Sequence, residues 1–218
     1  MKRLACLLLM LFSMHSYAQF ESNLSKLKQE LETYHDSGQY TRDICVQVEA
    51  AKWYLRQRIA ANAHSKHPKK LAIVLDIDET ALSNYAMMKQ YDFSGANVIW
   101  QHMQDASATV IEPTLDLYQM ALRNNVTVFF VTGRTEDFRD ATVKNLEHEG
   151  YREYGKLYMK PQDYQGQSAS VYKCGIRRSL VKKEGYDIVL SMGDQASDNV
   201  GGYADRTFQL PNPYYLIP

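Results

Sequence analysis

No apolar run in this sequence approaches the roughly 20 residues that a membrane-spanning helix needs. The run from Leu4 to Phe12 falls far short of it, so stable membrane insertion is not expected. Net charge is absent as well. Lys plus Arg and Asp plus Glu both number 25, which removes any global basic field that would draw the chain onto a nucleic acid polymer or an anionic membrane. Partners are therefore expected to be small molecules, with homo-oligomer formation left open. The six histidines show no short metal-ligand spacing, and neither an internal repeat nor a low-complexity segment interrupts the chain. Cysteine is scarce, with Cys6, Cys45 and Cys174 the only three.

What is present begins with Met1-Lys2-Arg3, the short apolar stretch and Ser16-Tyr17-Ala18, which together read as a signal peptide over 1–18 cleaved after Ala18. The mature chain would be exported, periplasmic or secreted. Cys45 and Cys174 would remain in a compartment that permits oxidation, as a disulfide or as two separate thiols. The 218 residues suit one domain with room for an insertion.

Leu24, Leu27 and Leu31 recur at helical spacing and predict an amphipathic helix over 22–34. A second helix is predicted over 41–64, with Ile44, Val48, Ala51, Trp53 and Leu55 facing inward, ending before Pro68. Leu71 to Leu75 is wholly apolar, as a central parallel strand covered on both faces should be. Similar runs lie at 126–131, 156–159 and 187–191, with helical patterns at 112–124, 135–149 and 170–184. Strand alternating with helix predicts an α/β, Rossmann-like doubly wound parallel sheet over 19–218, whose chemistry lies beyond the carboxyl ends of its strands. The stretch 82–111 is too long for a plain strand-to-helix turn and predicts a small helical cap inserted over the site.

Beyond the first strand stands Asp76-Ile-Asp-Glu-Thr80, beyond the second Thr132-Gly-Arg134, beyond the last Met192-Gly-Asp-Gln-Ala-Ser-Asp198. Asp76 and Asp78 suit a nucleophile and a proton donor. With Asp194 and Asp198 they place up to four negative charges at one edge, where each pair at 4 Å repels by about 4 kcal/mol at an effective dielectric near 20. A cation is required, and oxygen-only ligation favours Mg2+. Arg134 is read as either a substrate contact or a surface charge. Tyr85, Tyr91, Phe93 and Trp100 form either an aromatic slot or the cap's own core.

These motifs resemble those of the haloacid dehalogenase superfamily. With Asn84, Gln167-Ser-Ala-Ser-Val-Tyr-Lys173 and Pro211-Asn-Pro-Tyr-Tyr215, the chain is similar to the subfamily III acid phosphatases, which comprise bacterial class C acid phosphatases and plant vegetative storage proteins. The resemblance implies hydrolysis of a small-molecule phosphate monoester through an aspartyl phosphate on Asp76, with Asp78 as general acid and base. Thr132, Gly133, Lys173 and the backbone of Ile77 would hold the phosphoryl group, with Lys160 in reserve for Lys173. Asp76, the carbonyl of Asp78 and Asp194 would hold magnesium, with Asp198 acting indirectly or through water. Narrower readings are a 5'-nucleotidase or phosphotransferase; from another class, a non-catalytic storage or binding protein. Cys6 comes too early for the lipidation site typical of class C enzymes, and Gln195-Ala196 matches neither group fully.

Overall fold

The computed structural model describes residues 23–162 and 168–217; the predicted signal peptide lies outside them. Strands β1 (Lys70–Leu75), β4 (Thr127–Thr135), β5 (Lys156–Lys160), β6 (Tyr186–Gly193) and β7 (Arg206–Gln209) form one sheet in the order β5-β4-β1-β6-β7. Every pairing in it is parallel. The chain passes from β1 out to β4 and β5, then returns to the other flank of β1 with β6. β1 thus stands where the winding reverses, the place where such sheets bind ligands.

The wholly apolar β1 divides its residues between two layers, because alternate side chains leave opposite faces of a strand. Leu71, Ile73 and Leu75 join the larger core with Ile44, Val48 and Leu55 of helix α2 (Gln39–Ala63), and with Leu117 and Ala121 of α5 (Glu112–Arg123). Ala72 and Val74 pack on the other face with Tyr172 and Leu180 of α7 (Ala169–Lys182). Burial on both faces explains why no polar residue interrupts the strand.

Two expectations need correction. Trp53 is 57% exposed on the outer side of α2; the four residues Ile44, Val48, Ala51 and Leu55 already fill the inward stripe, and position 53 falls off it. Helix α1 (Leu24–Asp36) buries none of its residues, and Leu24 is 65% exposed. Its anchorage is polar and aromatic instead: His35 stacks on Tyr85, and Asp36 accepts from Tyr85 Oη at 2.7 Å and Lys89 Nζ at 2.8 Å. Of the two alternatives open for Cys45 and Cys174, the structure shows separate thiols, that of Cys174 donating to the Gly201 carbonyl at 3.2 Å.

The insertion is tied at its base by β2 (Leu82–Ser83) antiparallel to β3 (Thr109–Val110). Between them lie α3 (Tyr85–Gln90), α4 (Asn97–His102) and a single 3-10 turn, Met103–Asp105. The returning leg is clamped to α6 (Arg139–His148) by a reciprocal amide: Asn145 Nδ2 donates to the Ala108 carbonyl at 2.7 Å, and Ala108 N donates to Asn145 Oδ1 at 3.1 Å.

Candidate active site

The segment after β1 curls back at once, since the carbonyl of Ile77 accepts from the N–H groups of Thr80, Ala81 and Leu82 at 3.2, 2.9 and 2.9 Å. Glu79 completes the turn in the left-handed region, φ 51°. Asp76 is fixed ahead of the turn by its N–H donating to Met192 O of β6 at 2.9 Å. Asp76 and Asp78 therefore leave the same strand end, and β6 delivers Asp194 and Asp198 beside them.

Lys173, from the first turns of α7, donates to Asp76 Oδ1 at 2.6 Å and also to Asp198 Oδ1. Asp198 is doubly committed, because its Oδ2 accepts from Gln195 N at 2.8 Å and caps the short helix α8 (Ala196–Asn199). Asp194 Oδ2 accepts from Gln195 Nε2 at 2.5 Å and Asn212 Nδ2 at 2.7 Å, while Oδ1 has, among the described residues, only the Thr80 hydroxyl, at 3.4 Å. Asp76, Asp194 and Asp198 each offer an oxygen within 4.8 Å of the others. Both Asp198 oxygens are already engaged, so the freer donors belong to Asp76 and Asp194.

Burial pushes the Asp76 carboxyl well above its ordinary range; Lys173 opposes this, while Asp198, Asp194 and Asp78 add to it. Burial and the neighbouring Asp198 push Asp194 up to about 6. Burial is the larger cause of both shifts, and the negative charge of the neighbouring carboxylates adds to it. An oxygen-ligated divalent cation fits this donor set. Asp78 differs. Burial raises it, but the charge and hydrogen bonds of Arg134, with Asn84, outweigh burial and hold it below its usual value.

Arg134 fits neither expectation. It is 3% exposed and forks onto Asp78, Nη2 to Oδ1 at 2.7 Å and Nε to Oδ2 at 3.0 Å. Thr132 is buried, its hydroxyl accepting from Arg134 N at 3.1 Å. Gly133 and Lys160 line a cavity of about 120 Å³ together with Asp76, Asp78, Lys173 and Asp194. Trp100 also lines it, as do Tyr215 and Ile217 of the C-terminal segment. Of the other aromatic residues, Tyr85 and Phe93 pack with Tyr214 in the cap's core, and Tyr91 lies against His102.

The structure brings Asp76, Asp78, Gly133, Lys173 and Asp194 around one cavity at the end of the sheet, with Asp198 held to Lys173 beside it, while Thr132 and the Ile77 side chain are wholly buried. Three further residues support the site, and the sequence alone does not single them out. Glu79 is fully buried and accepts from Asn84 N at 2.9 Å. Gln195 and Asn212 hold Asp194, and the Asn212 side chain also accepts from the N–H groups of Tyr214 and Tyr215. A Pro-Asn-Pro turn signals a bend but not its partner.

The profile of the HAD superfamily, subfamily IIIB (Acid phosphatase), matches residues 3–218. Acid phosphatase 1 of Solanum lycopersicum is 36% identical over 152 residues, covering 66% of this chain and 58% of that protein. The stem 28 kDa glycoprotein of Glycine max is 31% identical over 210 residues, covering 93% and 80%. A class C acid phosphatase from Bacillus anthracis, solved with tungstate bound, superposes with a TM-score of 0.68 at 26% identity, covering 87% of this chain and 86% of that one. The match to the tomato enzyme thus spans less than two thirds of its length.

Proposed function

The chain belongs to the HAD superfamily, subfamily IIIB (acid phosphatase), and from that membership we propose that it is an exported, magnesium-dependent phosphatase that hydrolyses small phosphate monoesters through an aspartyl phosphate. The observation that carries the reading is the contact of Lys173 Nζ with Asp76 Oδ1 at 2.6 Å. A carboxylate held by a buried ammonium at a sheet's switch point is oriented and electrostatically prepared for attack on phosphorus.

Asp76 forms the bond to phosphorus while the bond to the leaving alcohol breaks, and Asp78 protonates the alcohol oxygen. Water then attacks phosphorus, gives its proton to Asp78 and displaces Asp76. Thr132, Gly133, the Ile77 N–H and Lys173 hold the phosphoryl oxygens. Asp198 keeps Lys173 in place. Asp76, Asp194 and the Asp78 carbonyl would hold magnesium, which would neutralise the carboxylates and let a phosphate dianion approach. The apolar wall of Trp100, Tyr215 and Ile217 favours a leaving alcohol with apolar surface. Export rests on the signal-like 1–18 segment and agrees with a soybean relative named a glycoprotein.

Release of p-nitrophenol from p-nitrophenyl phosphate tests the reading. Turnover should vanish with chelator, return with Mg2+, and be absent from a folded Asp76→Asn variant. A folded, metal-loaded wild type inert on this and on nucleotide and sugar phosphates would support a storage or binding role instead.

A further inference from the structure

The lone pairs of Asp78 can be counted. An ionised carboxylate offers about four acceptor sites, two on each oxygen. Oδ1 accepts from Arg134 Nη2 at 2.7 Å and from Asn84 Nδ2 at 2.9 Å, which fills it. Oδ2 accepts from Arg134 Nε at 3.0 Å. Among the described residues nothing else reaches the carboxylate, so one site remains, on Oδ2. Arg134 is itself braced, with Nη1 donating to Thr142 Oγ1 of α6 at 3.1 Å and its backbone N–H donating to Thr132 Oγ1. Three of its five guanidinium N–H groups are thus committed, and the side chain, which borders the cavity and is 3% exposed, is held in place against Asp78.

We propose that Arg134 is a positioning residue for proton transfer: its fork, braced by Thr142 and completed by Asn84, fixes the Asp78 carboxylate so that Oδ2 alone carries the proton to and from the reacting oxygens. This deepens the proposed function and rests on Asp78 being the general acid and base. In the first half-reaction the proton leaves Oδ2 for the alcohol oxygen as its bond to phosphorus breaks and the Asp76–phosphorus bond forms. In the second, Oδ2 takes a proton from the attacking water as the Asp76–phosphorus bond breaks. A planar fork defines both the position and the plane of a carboxylate, which a lysine ammonium cannot.

The experiment compares kcat/KM, which reports steps up to formation of the phosphoenzyme, for p-nitrophenyl phosphate and for n-butyl phosphate. The nitrophenolate departs without a proton and the alkoxide does not. Asp78→Asn should lose far more activity on the alkyl than on the aryl ester; equal losses there would sink the reading of Asp78 itself. Given that selectivity, Arg134→Gln and Arg134→Lys should each lose about tenfold more on the alkyl ester than on the aryl ester, a part of the 10²- to 10⁴-fold that proton transfer commonly supplies. Equal losses on the two esters would make Arg134 merely structural, and a loss expressed as raised KM for both would make it a phosphate contact; either overturns the proposal. Should both Arg134 variants fail to fold, Thr142→Val keeps the fork and removes only its brace. It should show the same selectivity at smaller size, and equal losses in that variant would again overturn the proposal.

Discussion

The ammonium of Lys173 lies between Asp76 and Asp198, 2.6 Å from Asp76 Oδ1. All three side chains are almost wholly buried, so the triad is an electrostatic unit in which removal of Lys173 strands both carboxylates. Lys173→Met should therefore act on both fold and chemistry. Leaving two buried carboxylates without their cation costs about 3–5 kcal/mol by analogy with broken buried pairs. Asp76→Asn, which keeps the shape and an acceptor for Lys173, should unfold within about 1 kcal/mol of wild type yet lose about 10⁴-fold or more in kcat. Urea denaturation beside single-turnover assays separates the two; a Lys173→Met variant as stable as wild type would refute the view of the three side chains as one electrostatic unit.

Asn212 joins two functions, since Nδ2 donates to Asp194 at 2.7 Å while Oδ1 accepts from Tyr214 N at 2.9 Å. Loss of a partner that orients a metal ligand commonly costs about 10- to 100-fold in metal affinity. Asn212→Ala should weaken Mg2+ binding by that factor in isothermal titration calorimetry. Asn212→Asp keeps the acceptor for the backbone turn but loses the amide donor, setting an acceptor against Asp194. If it binds Mg2+ as wild type does, the tail rather than the amide is what matters.

How much of this was legible in the sequence follows from where each residue's partner lies. β1 announced itself because burial on both faces leaves no polar residue in Leu71 to Leu75, and the acidic motifs could be placed because they follow strand ends. β7 could not be read: Arg206-Thr-Phe-Gln209 buries only Phe208, so its membership in the sheet depends on pairing with β6. Trp53 looked like core because helical spacing cannot say how wide the buried stripe is. The role of Arg134 is hidden for a related reason, since its partner Asp78 lies 56 positions away, a juxtaposition created by the parallel pairing of β1 with β4.

Gly193 closes β6 where no side chain fits, because a Cβ built there would overlap the Asp198 side chain. Gly193→Ala should push Asp198 from its bond with Lys173 and from the N-cap of α8. The expected result is a stability loss of about 1–3 kcal/mol, typical of overpacking, with a disproportionate loss of kcat. Paired thermal melts and steady-state kinetics read both. Unchanged kcat in a destabilised variant would show that Asp198 does not act through Lys173.

Glu79 supplies the pH test. It is fully buried, accepts from Asn84 N and Nδ2 at 2.9 and 3.1 Å, and is pushed by burial, then by Asp194 and Asp78, to about 8 from an ordinary 4.5. Between those values the folded chain holds a proton that the unfolded chain has released, so unfolding releases that proton and stability falls as pH rises. The contribution is fully present below 4.5 and is lost as pH passes about 8. At about 1.4 kcal/mol per pKa unit it amounts to a few kcal/mol for the chelated protein. Glu79→Gln keeps an acceptor for Asn84 and cannot ionise. Its urea midpoint should change much less between pH 5 and pH 8 than that of wild type, with the largest gain at the alkaline end. Parallel slopes in the two proteins would mean that Glu79 stays ionised in the fold, and that the carboxylate cluster carries one more negative charge for its cation to meet.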